Sequence, residues 1–155
     1  MKSISALLAA LFICTLSTVA HADNDRIKNI YEWAKKEMLT DKDFQAPLPP
    51  VIVIFKGKLK GIVLENHSGA REDIIKRLPR IGGVYYPVKR VIYVADLVND
   101  CMESAIISHE LAHYIQHMKR GNELYKLTTG KEREEISMSI QNTYYNTFCT
   151  ERSMP

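Results

Sequence analysis

Cysteine is scarce in this chain of 155 residues: there are three, and no two are spaced C-x-x-C. That excludes the thiolate-rich zinc modules and dithiol redox motifs that depend on such spacing. Seven glycines and six prolines are too few for a collagen-like or low-complexity chain. Charge of one sign is also lacking. The formal balance is +3, scattered along the chain, and argues for neither nucleic acid nor an anionic membrane surface. No internal repeat or long linker occurs, and the length suits one domain rather than two. What remains is ordinary globular composition, 46% hydrophobic and 25% charged.

The first residues form a separate segment. Met1-Lys2-Ser3 precedes an uncharged, largely apolar stretch from Ile4 to Ala20, which closes on Ala20-His21-Ala22 before the polar Asp23-Asn24-Asp25-Arg26. One basic residue, an apolar run and an Ala-x-Ala site form the three-part pattern of a secretory signal peptide cleaved after Ala22. The bulky Phe12-Ile13 before Cys14 argues against a lipoprotein signal. Removing 22 residues takes away one lysine and one cysteine, leaving 133 residues, a charge of +2 and two cysteines. The expectation is an exported protein, periplasmic or secreted, free of the membrane after cleavage. In an oxidising compartment Cys101 and Cys149 are expected to pair.

The mature chain, 23–155, reads as one α+β domain. Ile27, Ile30, Tyr31, Ala34 and Met38 recur at helical spacing, predicting an N-terminal helix over 25–40. The β-branched run Val51 to Phe55 predicts a buried strand, and Leu59 to Leu64 a second extended piece, with Lys56-Gly57-Lys58 as a hairpin turn. A single helical turn is expected around Ile74-Ile75. Val84 to Val94 predicts one strand interrupted at Pro87, or two short ones, and the proline suggests a sheet edge. The expected sheet is therefore short and mostly antiparallel. Ser104 to Met118 is expected as a helix stopped at Lys119-Arg120-Gly121, and a last helix spans about Lys131 to Thr147.

The middle helix carries His109-Glu110-Leu111-Ala112-His113. Four residues of helix advance about 6 Å and almost a full turn, so both imidazoles leave one face and can meet a single zinc ion. Glu110 sits beside them, placed to act as general base toward a water activated by the metal. A third ligand is required. His117 lies about 12 Å along the helix from His109, too far for one ion on an unbroken helix. It reads instead as a histidine of the helix's last turn, favoured there by the dipole, with substrate contact as the other role. The acids Glu132, Glu134 and Glu135 are better placed. Taking Ile136, Ile140, Tyr144 and Phe148 as the buried side of the last helix, with Met138 and Tyr145 extending that arc, Glu134 falls within it. Glu135 falls outside and Glu132 at the opposite margin. Glu134 is therefore the first choice, with the other two kept as alternatives.

These motifs resemble those of the zincin metallopeptidases, and specifically the gluzincin-like group whose third ligand is a glutamate. The matching residues are His109-Glu110-Leu111-Ala112-His113 and, downstream, Glu134-Glu135-Ile136-Ser137. The last is similar to the Glu-Ala-Ile-Ser stretch of thermolysin-like enzymes, and the resemblance covers about the final 50 residues. The short chain is closest in kind to minimal, single-domain (minigluzincin-type) versions of the fold. Met138 departs from the pattern, because that group has an aspartate there bonded to the first zinc histidine. The partner of His109 is thus unidentified. The resemblance implies one zinc ion and an edge strand, Val84 to Val94, that binds extended peptide or protein substrate. It also implies a donor to the developing oxyanion, for which Tyr85, Tyr86, Tyr114, Tyr125, Tyr144, Tyr145, His67 and His117 are available.

Three functions follow as expectations. The first is an exported zinc endopeptidase using His109, His113 and Glu134 as ligands and Glu110 as base. The second is a non-catalytic protein of the same fold, inhibitor-like or bound in the envelope. The third is a hydrolase of cell-wall amide bonds. A deformylase-like enzyme shares H-E-x-x-H but uses a cysteine ligand that neither export nor the position of Cys101 supports.

Overall fold

The computed structural model describes residues 24–38, 44–66, 76, 80–127 and 129–150. The signal segment, the turn expected at Ile74-Ile75, and His67 lie outside them, as does the side chain of Tyr125. Among the described residues the chain is α+β, with four helices and one three-stranded sheet.

Helix α1, Asn24–Glu37, buries Ile27, Ile30, Tyr31 and Ala34, the apolar face read from the periodicity. Strand β1 is Val51–Ile54. The next element corrects the expected hairpin: Lys56–Asn66 is a helix, α2. Its start is closed by the Phe55 carbonyl, which accepts from the N–H groups of Lys58 and Leu59. Leu59 and Val63, four apart, are its buried residues. The lysines and glycine that suggested a turn form its exposed first turn.

Strands β2, Gly83–Tyr86, and β3, Val91–Ala95, form a hairpin with Gly83 opposite Val94 and Tyr86 opposite Val91. The four residues between include Arg90 at φ 53°. Sheet order is β1-β3-β2, so β2 is an edge, as Pro87 suggested, but Val91 to Val94 of the segment expected at the edge lie in the central strand. The sheet is mixed rather than mostly antiparallel: β1 runs parallel to β3, with Val51 opposite Ile92. The physical reason is α2, which carries the chain off the sheet after β1 and forces a crossover before it can pair again.

Period-two alternation then assigns the two faces. Val51, Tyr85, Ile92 and Val94 join the main core against α1 and the third helix, while Ile54, Leu59 and Ala95 form a smaller core with α2. The third helix, α3, spans Asp100–Leu127 and begins earlier than expected. Asn99 Oδ1 accepts from the N–H groups of Cys101 and Met102, both at 2.9 Å, which is an N-cap. The expected stop at Gly121 is a break inside this span, with φ 68° and ψ 172°, a conformation suited to glycine. Helix α4, Gly130–Phe148, returns antiparallel along α3. A Cys101–Cys149 disulfide, with Cα atoms 5.7 Å apart, joins the start of α3 to the residue after α4.

Candidate metal centre

His109 and His113 lie one turn apart on α3 and both are buried. Their Nε2 atoms face each other at 3.1 Å. Glu134 enters from the first turns of α4, with its two carboxylate oxygens 3.4 Å from His109 Nε2 and 3.3 Å from His113 Nε2. Donors about 2.0–2.1 Å from one zinc ion in a tetrahedral shell stand about 3.3 Å from each other. The triangle in this protein has that size. Two imidazole nitrogens cannot both present lone pairs at such range without a proton or a cation between them. The donor set of two nitrogens and a carboxylate fits a divalent ion, and His109, His113 and Glu134 could hold one. This is the one such group found among the described residues.

Charges follow the geometry. The two imidazoles beside Glu134 hold its carboxyl well below the usual carboxylate range. Burial pushes the His109 imidazole down, but the carboxylates of Glu134 and Glu110 outweigh it and the net direction is up. Glu134 is the open side of the triangle, its side chain 60% exposed against about a tenth for each histidine.

The other acids are engaged elsewhere. Glu132 completes a capping box at the start of α4: its Oε2 accepts from the Thr129 N–H at 3.1 Å, while Thr129 Oγ1 accepts from the Glu132 N–H. Glu135 lies 3.7 Å from Lys131. The helical phase expected for α4 needs correction. Its buried residues are Ser137 and Ile140, whereas Ile136, Met138 and Phe148 are exposed. The helix packs through a face with few large apolar groups, which the apolar periodicity did not mark. Glu134 belongs at the rim of that face and not inside an apolar arc.

Glu110 is 6% exposed and packs against β2. Burial pushes its carboxyl up, and the two histidines and the Tyr85 main-chain N–H pull the other way. The hairpin register explains that N–H. Ala95 N donates to Gly82 O, so Gly83 and Val94 are a non-hydrogen-bonded pair, and the main-chain groups of Gly83 and Tyr85 point away from β3. On that outer edge Tyr85 meets Glu110. Gly83 permits the approach, since a Cβ there would stand 2.8 Å from Glu110 Cγ. A glycine opening a strand is a readable signal for such close passage, and Gly83 opens β2.

His117 is in the last turn before Gly121, as expected, but it is buried and its Nδ1 lies 2.6 Å from the Tyr85 hydroxyl. Packing against β2 and the Tyr85 hydroxyl hold it there, in addition to the helix dipole that the sequence suggested. Tyr114 donates to the Pro47 carbonyl, Tyr144 stacks edge-on with Trp33, and Tyr86 lies under the Lys89 ammonium. Two further residues belong to the site: Gln116, which the sequence did not mark, and Ser137, which it marked only as the end of the Glu134-Glu135-Ile136-Ser137 resemblance. Ser137 Oγ lies 3.2 Å from His113 Nδ1.

Among the described residues no helix is long and apolar enough to cross a membrane. No family model, no curated protein and no solved structure matches this chain.

Proposed function

We propose that this protein is an exported, zinc-dependent metallopeptidase of the zincin type, gluzincin-like in taking its third ligand from Glu134. The observation that carries the reading is the convergence of His109 Nε2, His113 Nε2 and the Glu134 carboxylate at 3.1–3.4 Å, with Glu110 adjacent on the same helix. Two nitrogens and one carboxylate oxygen, leaving a fourth position open, is a donor set of catalytic zinc. Zinc bound there supplies a Lewis acid that makes a water acidic near neutral pH. Glu110 takes the proton of the attacking water as its oxygen bonds to the scissile carbonyl carbon. As the carbon–nitrogen bond breaks, Glu110 returns that proton to the leaving amine. The outer edge of β2, where Gly83 and Tyr85 turn their main chain toward Glu110, is the place for an extended peptide to lie.

Incubation of the purified protein with a mixed peptide library and zinc is the test. Cleavage should vanish in Glu110→Gln, and cleavage that persists in that variant removes the mechanism. A second reading, a non-catalytic zincin-fold binding protein, is favoured by one observation: Glu110 is buried and already held by Tyr85. Zinc binding without hydrolysis of peptides or of purified cell-wall material would select it. Hydrolysis of wall material alone would move the substrate class to cell-wall amides. Export rests on the N-terminal pattern and is supported by the Cys101–Cys149 disulfide.

A further inference from the structure

Ser137 is fully buried on α4 and stands between two side chains of α3. Its Oγ lies 3.2 Å from His113 Nδ1 and 3.4 Å from Gln116 Nε2. The Gln116 amide is oriented by a group that can only accept: the Arg133 carbonyl lies 3.3 Å from the same nitrogen. That nitrogen therefore offers one hydrogen to Arg133 and the other to Ser137. Ser137 Oγ keeps one lone pair and its own proton to offer to His113. His109 has no side chain in that role: its buried Nδ1 makes no close hydrogen bond among the described residues, and its support is a looser approach to the Ser137 main chain. The two imidazoles are thus unequal.

We infer that Ser137, braced by Gln116, is the positioning residue of the centre, accepting the Nδ1 proton of His113 and fixing its Nε2 toward His109 and Glu134. The inference rests on the metal reading above and deepens it: His113 is the ligand anchored by a side chain and His109 the more weakly held one. An imidazole that gives its Nε2 lone pair to a cation carries its proton on Nδ1, and a buried N–H needs an acceptor. Ser137 is that acceptor. Its hydroxyl can also donate to Nδ1, which puts the ring's proton on Nε2 and makes it unable to ligate. One short stretch of α4 performs two tasks, since Glu134 and Ser137 lie three apart and so share one flank of the helix.

The test combines chelator competition for zinc with nitrogen-correlated NMR of the histidine rings, on the full-length protein and on Ser137→Ala. Zinc affinity should fall about 10- to 100-fold in Ser137→Ala, the usual cost of losing such an outer hydrogen bond. His113 in the zinc-loaded parent should be the Nδ1–H tautomer, protected from exchange in the parent and exposed to it in the variant. Gln116→Met, which removes the brace and keeps the volume, should weaken zinc in the same direction and serves if Ser137→Ala does not fold. Zinc affinity within twofold of the parent in a folded variant, or the Nε2–H tautomer in the loaded parent, overturns the inference. A parent that binds no zinc overturns the metal reading itself, and this assignment with it, so the two failures are distinct.

Discussion

Gly83 on β2 and Glu110 on α3 are in contact so close that a methyl group on Gly83 would stand 2.8 Å from Glu110 Cγ and 3.0 Å from its Oε1. Separations that short force something to move. Ile106 closes the same space, 2.9 Å from that methyl position. Gly83→Ala should therefore displace the carboxylate while leaving the three candidate metal ligands in place. A shift of about 1 Å in a catalytic group costs about 100-fold in turnover, and overpacking costs about 1–3 kcal/mol of stability. Peptide turnover and zinc content measured side by side should show lost rate with full metal. Unimpaired turnover in a folded Gly83→Ala would show that β2 does not position Glu110.

Three glutamates in four positions of α4 should give three different phenotypes. Glu134→Ala removes the carboxylate 3.3–3.4 Å from both histidines, and zinc should be lost on dialysis. Glu132→Ala removes half of the capping box with Thr129, lowering stability by about 0.5–2 kcal/mol with zinc retained. Glu135→Ala breaks an exposed pair with Lys131 and should change neither quantity measurably. Zinc content and urea unfolding of the three variants check the assignment. Zinc loss in Glu135→Ala with zinc kept in Glu134→Ala would reverse it.

The disulfide closes a separation of 48 residues, which a loop-closure account values at about 4 kcal/mol. Cys101 lies about 12 Å along α3 from His109, and Cys149 about 22 Å along α4 from Glu134. The contacts that align the two helices at the centre, from Gln116 to Arg133 and Ser137, are independent of the bridge. The double variant Cys101→Ser, Cys149→Ser should lose several kcal/mol in denaturant yet bind zinc nearly as tightly while folded. Loss of zinc from the folded double variant would instead make the bridge part of the site.

The candidate site was legible because its spacing is a covalent fact. His109 and His113 share a face on any helix, and the sequence around them is unmistakably helical. Glu134 was reached by a phase argument whose premise was faulty, since Ile136 and Met138 are exposed. The helix carries its contact with α3 on Ser137, a small polar residue that no hydrophobic periodicity marks. Lys56 to Asn66 departs from expectation for the opposite reason: Ile62 and Val63 favour strands locally, and the packing of Leu59 and Ile62 against the sheet residues Ile54 and Ala95 favours the helix. The closeness of Gly83 to Glu110 is a tertiary relation between residues 27 apart. A bare glycine hints at it but cannot name the partner.

Alkaline stability should depend on two buried phenols. Tyr31 on α1 donates to the Ala46 carbonyl at 2.9 Å, and Tyr114 on α3 donates to the Pro47 carbonyl at 2.5 Å. Together they pin the segment leading into β1 to two helices. Burial raises the pKa of both, helped for Tyr31 by Tyr114 and Glu32 and opposed for Tyr114 by Arg90. A folded state that holds these protons more tightly than the unfolded chain has its full advantage below the ordinary tyrosine pKa of about 10. That advantage is lost as pH rises through the raised folded values. At pH 8, Tyr31→Phe should be less stable than the parent by about 1 kcal/mol, the worth of one hydrogen bond. Above pH 10 the parent should lose stability that the phenylalanine variant keeps, so the gap should close or reverse. Urea midpoints at pH 8, 10 and 11 measure it, and a gap that widens with pH would mean these phenols ionise more readily in the folded protein than in the unfolded chain.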